Sequence, residues 1–502
     1  MSPGREEPRR HVTGAVGVVL AAALLLTLRA HTYDEPLERD ITTYAVVGHE
    51  LLAGRALYVD LWDHKPPLVH ALFAGAEALA GYGPRAVFLL NVLGGLAALA
   101  GVASTVRRAT GVWWLPAWAA AAWALAGGDL GLQANQPNTE LFMSALVAWA
   151  WAVAVRPGPA SAAVVGAMGL AASLLKPVFV LPIAPLFIGC LAGLPRAART
   201  RRAVLSAAVV PLGWIFLSLW FVARGSFPAF YDAVVSFNRA YAGSQAQNFF
   251  EAMEPRRLVP GHVRLLLPLG VAALAGAILG WRARRRSWAL FAAVCVAVEF
   301  AILLPGKFYP HYYQLWLVPA VLGAAFALNE AAGRFRVMAT SVAGFALLAW
   351  LGWCELPSYA LPAEEWSRRK YGELFLDERA QGERLGKMLV PGESFLVWGS
   401  APGLYFYSGR APATGFLYIS PLQKCPGQEA NLARFCREAE KATAEAVVID
   451  GRPRTDPPAA CLRVVLGARY VPAPELAAGA AVGELWLKKD GALARRLEGA
   501  ER

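Results

Sequence analysis

Asp34, Glu35, Glu38, Arg39, Asp40, Glu50, Asp60, Asp63, His64 and Lys65 crowd into one stretch of the chain, residues 31–67, directly after its first apolar run. A bilayer rejects all of these groups, so their density beside a membrane-spanning run marks a water-facing edge. A carboxylate there can take a proton from a hydroxyl. Ammonium groups can stabilise charge that builds on phosphate oxygens. Asp40 is the candidate base, because it opens an amphipathic helix over 40–52 with Ile41, Tyr44, Val47 and Leu52 at helical spacing. Lys65, Lys176 and Lys307 stand at the ends of apolar segments and are the candidate phosphate-side cations. Glu140 heads a further segment after Gln136-Pro137-Asn138, and with His64 it could hold a divalent metal. Plainer readings stand beside these: an acid at a helix N-terminus is favoured by the dipole alone, and lysines snorkel at helix ends.

The elements that must position these groups are membrane helices. The chain has 502 residues, a hydrophobic fraction of 57% and a mean hydropathy of +0.41. Soluble domains run near 45–50% apolar, and runs long enough to cross a bilayer recur along the chain. Candidate segments are 12–28, 66–81, 86–106, 112–127, 139–155, 160–175, 177–195, 203–223, 263–280, 288–304, 313–329 and 337–354. The net charge of +12 falls largely in short arginine clusters at 107–108, 196–202, 282–286 and 334–336. Such clusters mark cytoplasmic loops and exclude a nucleic-acid surface, which would gather its basic residues on one folded face.

All the clusters, together with Arg156, fall on one side only if 66–81 does not cross. That segment opens with Pro66-Pro67 and carries His70 and Glu77, which fits a helix lying at the interface. The expectation is a polytopic α-helical membrane protein of about eleven spans, multi-pass in a bacterial inner membrane. Residues 1–11 form a cytoplasmic N-terminus, 12–354 the transmembrane module with 31–85 as its first outer loop, and 355–502 an extracytoplasmic domain. The first span is read as uncleaved. The aromatic 224–262 loop reads as a helix along the membrane.

From residue 355 the pattern changes to alternating helix and strand: a helix near 377–389, a strand at 395–398, a turn at 399–403, a helix at 428–441, and strands at 446–449 and near 482–487. This is a small α/β domain. In an oxidising space a disulfide between Cys425 and Cys436 is expected. Cys190 and Cys295 lie in apolar runs as inert hydrophobes.

Every candidate chemical group therefore falls on the outer face, where no nucleotide sugar is available. An activated group must arrive there on a lipid, and a polyprenyl phosphate carries its head at the depth of interfacial helices. A lipid-linked saccharide transporter or flippase would need polar groups near the midplane of the spans, where only Glu299 and Asn91 stand out. A non-catalytic envelope assembly protein would explain the tail but not the acids and lysines.

The Glu38-Arg39-Asp40 and Tyr44 pattern, followed by His64-Lys65-Pro66-Pro67, resembles the first outer loop of GT-C glycosyltransferases. The branch is the bacterial one related to protein O-mannosyltransferases and the lipid A aminoarabinose transferase. The resemblance continues at Asn138-Thr139-Glu140, Leu175-Lys176, 307–313 and 397–410, and so spans nearly the whole chain. It implies inverting transfer of a sugar from a polyprenyl-phosphate donor to a hydroxyl of a protein, glycan or lipid acceptor. Asp40 takes the place of the catalytic acid residue and Lys65 that of a lysine on the lipid phosphate. Lys307 and Tyr312 fall where the family has phosphate-side groups. Where the aminoarabinose transferase has Glu before that lysine, this chain has His64.

Overall fold

The computed structural model describes residues 3–192, 196–254, 262–335, 337–423, 427–452, 455–477 and 481–500. They divide into two compact units. The first comprises Met1–Tyr33, Phe88–Ser218 and Ala242–Pro362, the second Asp34–Val87, Leu219–Tyr241 and Ala363–Arg502. Cα packing thus groups the first outer loop with the C-terminal residues.

The first unit is a helical bundle. Among the described residues six helices are long and apolar enough to cross a membrane, beginning with Val12–His31 and Pro84–Ala109, and shorter apolar helices accompany them. The chain is a multi-pass membrane protein. Large apolar side chains on the long helices face outward, among them Phe216, Ile278 and Phe345, as contact with lipid rather than water requires. The helix His262–Leu303 is 42 residues long, about 63 Å if straight, or twice the hydrocarbon thickness. It breaks instead at Arg284, whose φ of −129° and ψ of 38° leave the helical region. The two arms the sequence reads as 263–280 and 288–304 are therefore two helices that meet at the break at Arg284. The loop that follows Leu115–Ala126 is tied down by Arg29, which is buried and donates to the carbonyls of Gly127 at 2.5 Å and Ala134 at 2.9 Å. A buried guanidinium demands such acceptors, and this one fixes the approach to Asn138 and Glu140.

The second unit is built on a four-stranded sheet of order β1-β2-β4-β3. β1 (Phe395–Trp398) runs parallel to β2 (Ala446–Ile449), while β4 (Glu484–Lys488) is antiparallel to β2 and to β3 (Tyr470–Pro472). All residues of β1 and β2 are buried, the pattern of parallel strands covered on both faces. The turn over 399–403 is closed by carboxylates. Asp450 Oδ2 accepts the Ser400 amide at 3.0 Å, and Glu378 Oε1 accepts that of Gly403 at 2.5 Å. A Cβ on Gly399 would lie 2.1 Å from the Asp450 Cβ, so only glycine fits.

The disulfide differs from the expected one. Cys436 pairs with Cys461, Cα atoms 5.7 Å apart, joining the helices Gln428–Lys441 and Ala460–Arg469. Proximity in sequence favoured Cys425 as the partner, but Cys436 lies well inside its helix and meets the neighbouring helix instead. Cys425 lies outside the described residues. With its cysteines 25 positions apart, this bond contributes about 3 kcal/mol. Cys461→Ser is expected to lower the stability of the second unit by that amount, read from the unfolding temperature with and without reductant.

The first outer loop is a structured part of this second unit. Leu37 N–H donates to Tyr407 Oη at 2.7 Å, Trp62 N–H to the Gly415 carbonyl at 2.7 Å, and Arg434 to the Tyr58 carbonyl at 2.9 Å. Glu35 and Lys370 form a buried ion pair at 2.5 Å. The helix Leu68–Ala80, the segment expected at the interface, has 13 residues and is about 20 Å long, short of the ~30 Å a span needs. It packs on Arg39–Leu52, where a Cβ on Gly48 would come within 2.8 Å of the Ala74 amide. The 224–262 loop is no single helix. It forms Phe227–Tyr231, a π turn, Phe237–Ala242 and Gln245–Ala252, interrupted by Gly243 at a φ of +70°.

Candidate active site

Asp40 lies in the first turn of the helix Arg39–Leu52, whose N-cap residue, Glu38, is extended (φ −72°, ψ 165°). Its carboxylate is partly exposed and stands 3.8 Å from Arg39 Nε. Ile41, Tyr44 and Val47 bury the opposite face, which fixes Asp40 toward the open side. Beside it Glu38 is buried, and its pKa is pushed up to about 8, first by burial and next by the charge of Asp40. The pair therefore holds one proton more near neutral pH than two exposed acids would.

A linkage follows. Glu38 ordinarily titrates near 4.5 and in the fold near 8, so the folded state binds the extra proton between those values. Stability is full below the lower value and falls as pH rises through the upper one. Glu38→Gln is expected to flatten this decline, so that at pH 9 the variant is more stable than the parent by on the order of a few kcal/mol and unfolds at a higher temperature. A thermal unfolding series from pH 4.5 to 9 measures it.

Asp63 is the hub of a second cluster. Its Oδ1 accepts from the Tyr418 hydroxyl at 2.7 Å and from the His64 amide at 2.8 Å. His64 Nδ1 lies 3.2 Å from the same oxygen, and His70 Nε2 lies 3.0 Å from Oδ2. Burial alone would raise the Asp63 pKa, but the two imidazoles outweigh it and hold the carboxyl well below the usual range. Burial lowers the pKa of His64, with the neighbouring ammonium of Lys65 adding to it. Trp62, Phe237 and Tyr241 surround the His64 ring with centroids 5.5–6.3 Å away. The Asp40 charge reaches both His64 and Tyr418.

Lys65 follows in this strained turn. Tyr58, at a φ of +69°, is fully buried and donates its hydroxyl to the Lys65 carbonyl at 2.8 Å. A left-handed tyrosine is costly and here fixes the backbone of Lys65. The Lys65 side chain is itself buried, at 7% exposure. Among the described residues its ammonium has neither a hydrogen-bond acceptor nor an ion-pair partner.

In the first unit, Asn138 caps the helix Thr139–Val155, its Oδ1 accepting the Thr139 amide at 2.8 Å. Glu140 follows in the first turn, 1% exposed, with Lys176 Nζ 3.2 Å from Oε1 and the Thr139 hydroxyl donating to Oε2 at 2.9 Å. Lys176 ends the helix Ser161–Leu175 because Pro177 follows. A residue before proline is driven out of the helical region, and Lys176 is extended at φ −158°, ψ 123°. Its ammonium sits 3.4 Å above the ring of buried Tyr312, a cation–π contact. Tyr312 is held in the 3₁₀ turn Pro310–Trp316, where Gln314 donates to the Leu132 carbonyl at 3.2 Å and His311 Nδ1 lies 3.3 Å from Gln133 Oε1. Lys307 is half-buried in the preceding loop, between Gly306 and Phe308, both at positive φ.

The structure thus assembles Glu140, Lys176 and Tyr312 in the first unit. Asp40, His64 and Lys65 belong to the second. His64 and Glu140, read together as metal ligands, each have another partner, Asp63 and Lys176 respectively. Among the described residues no group of three or more His, Cys, Asp or Glu side chains is placed to hold a metal ion. Sequence reasoning passed over Asp63, His70 and Tyr418 as site residues. The Asp63-His64-Lys65 run was a local signal for the first, but nothing in the chain pointed to Tyr418, 355 residues away.

No family model and no curated protein matches the sequence. Among solved structures, the crystal structure of ArnT from Cupriavidus metallidurans bound to undecaprenyl phosphate aligns over 95% of this chain and 98% of its own, with a TM-score of 0.60 and 16% identity. This chain has the ArnT fold. The apo state of the same ArnT aligns with equal coverage at a TM-score of 0.56 and 18% identity. The likeness to ArnT extends over 95% of the chain, so the polytopic helical fold with a small C-terminal sheet expected from the sequence is the one present.

Proposed function

We propose that the chain is an inverting glycosyltransferase that moves a sugar from a polyprenyl-phosphate donor to an acceptor hydroxyl on the extracytoplasmic face. The observation that carries this reading is the buried Lys65 side chain, whose ammonium has no ion-pair partner among the described residues. An uncompensated buried charge is costly, and it is offset when an anionic ligand arrives. ArnT, whose fold the chain shares, binds undecaprenyl phosphate in its crystal structure, which supports a polyprenyl phosphate as that anion.

In this mechanism Asp40 takes the proton of the acceptor hydroxyl. The acceptor oxygen bonds to the anomeric carbon as the bond from that carbon to the phosphate oxygen breaks, and the polyprenyl phosphate leaves with the electron pair. Lys65 neutralises the phosphate oxygens as their charge grows. In the first unit, the Tyr312 ring and the Glu140 carboxylate hold the Lys176 ammonium. His64, anchored by Asp63, orders the peptide before Lys65. The Cys436–Cys461 bond favours an oxidising, extracytoplasmic setting for the C-terminal domain.

Purified protein supplied with labelled polyprenyl-phosphate hexoses and pentoses tests the reading. Transfer with inversion at the anomeric carbon, followed by NMR, is the expected result. No transfer from any donor, with lipid-linked sugar instead crossing the bilayer of reconstituted vesicles, would overturn it in favour of a flippase.

A further inference from the structure

A cavity lies elsewhere in the first unit. It has a volume of about 970 Å³ and opens among the arginine-bearing helix ends, with Arg108, Arg156, Arg284 and Arg286 on its walls and Glu330 as the sole acidic residue. Glu330 is already engaged, 3.2 Å from Arg284 Nε. Arg108 donates to the Arg156 carbonyl at 3.0 Å, while its buried Nε has no hydrogen-bond partner. The guanidinium of Arg156 is exposed and makes no hydrogen bond or ion pair among the described residues. The rest of the wall is apolar and aromatic, with Trp151, Ile188, Leu290 and Phe326 prominent.

Two features of the chain create this space. The break at Arg284 starts a second helix that packs back beside Leu317–Ala332, so Arg284 and Arg286 line the cavity. Gly280 permits the close approach, since a Cβ there would lie 2.4 Å from Trp288 Nε1 and 2.8 Å from Glu330 Cδ. The result is cationic at one end and oily at the other.

We propose that this cavity binds an anionic phospholipid of the cytoplasmic leaflet, its phosphodiester on Arg108 and Arg156 and its acyl chains along Trp151, Ile188 and Phe326. Arginine forks match phosphate oxygens, and basic pockets between membrane helices on the cytoplasmic side take such headgroups. A free phosphate would leave the apolar wall unfilled, and a zwitterionic lipid would bring a second cation among the arginines. The assignment uses the orientation of the proposed function but none of its chemistry.

Delipidated protein titrated with phosphatidylglycerol, with phosphatidylcholine of the same chains and with inorganic phosphate distinguishes the sources, read by native mass spectrometry and by unfolding temperature. Phosphatidylglycerol is expected to bind at least about tenfold tighter than phosphatidylcholine, with Arg156→Gln weakening it about fivefold and the Arg108→Gln, Arg156→Gln pair about 25-fold. Arg156→Gln keeps the test clear of the bond that Arg108 makes to the backbone. Arg107→Gln, an exposed neighbour outside the cavity wall, is expected to change binding less than twofold. Equal binding of the two lipids, saturation by phosphate alone, or an equal loss in the Arg107 variant would each overturn the assignment. None of these readouts depends on sugar transfer.

Discussion

Asp40→Asn is expected to lower kcat/KM for sugar transfer by about three orders of magnitude, within the range a positioned general base supplies. The substitution keeps the shape of the side chain and removes its ability to take a proton. Stability should change by less than about 1 kcal/mol, because a partly exposed ion pair like that with Arg39, 3.8 Å away, contributes little. Activity and unfolding temperature therefore separate cleanly in this variant. Glu38 gives a second check. With the neighbouring charge gone, one cause of its raised pKa disappears and only burial still holds it up. Turnover equal to the parent's in the Asn variant would take Asp40 out of the base role.

Lys65→Met is expected to reduce kcat/KM by about 10²–10³ and to leave the protein as stable as the parent or more so. The two effects share one cause. An ammonium on a buried side chain with no ion-pair partner among the described residues weakens the empty fold and strengthens it once an anion binds. In the parent protein, polyprenyl phosphate at a hundred times its Kd should raise stability by about 2.7 kcal/mol, and in the Met variant far less. A lysine that merely snorkelled would show neither the gain nor the loss. If Lys65→Met destabilises the empty protein and leaves the ligand-induced shift intact, Lys65 is a structural residue.

The crowding of charged residues over 31–67 was legible because charge beside an apolar run is a local signal. The helix at 39–52 and the strands at 395–398 and 446–449 were legible too, since each carries its own periodicity or apolar run. What escaped was set by distant contacts. β3, only three residues long and half exposed, has no pattern of its own and exists because β4 pairs with it. The helix 460–469 was missed for a similar reason. The disulfide went to the wrong partner because sequence distance stood in for the packing of two helices. The grouping of residues 34–87 with 363–502 was invisible, since the bonds from Leu37, Tyr58 and Trp62 to residues 407–434 run through backbone groups that every residue has. Tyr418 is the sharpest case, because one hydroxyl completes the Asp63 cluster from 355 positions downstream.

That separation also sets a timetable for biogenesis. Synthesis proceeds at 5–20 residues per second, so Tyr418 emerges roughly 20–70 s after the acid it contacts. During that interval the Asp63 carboxylate, its two histidines and the Lys65 ammonium lack the tyrosine that completes their packing, while the helices of residues 88–362 are still being inserted. A nascent chain halted in this window carries an unfinished first loop and should be open to proteases and retained by chaperones. The first loop is complete only once Tyr418 has been made.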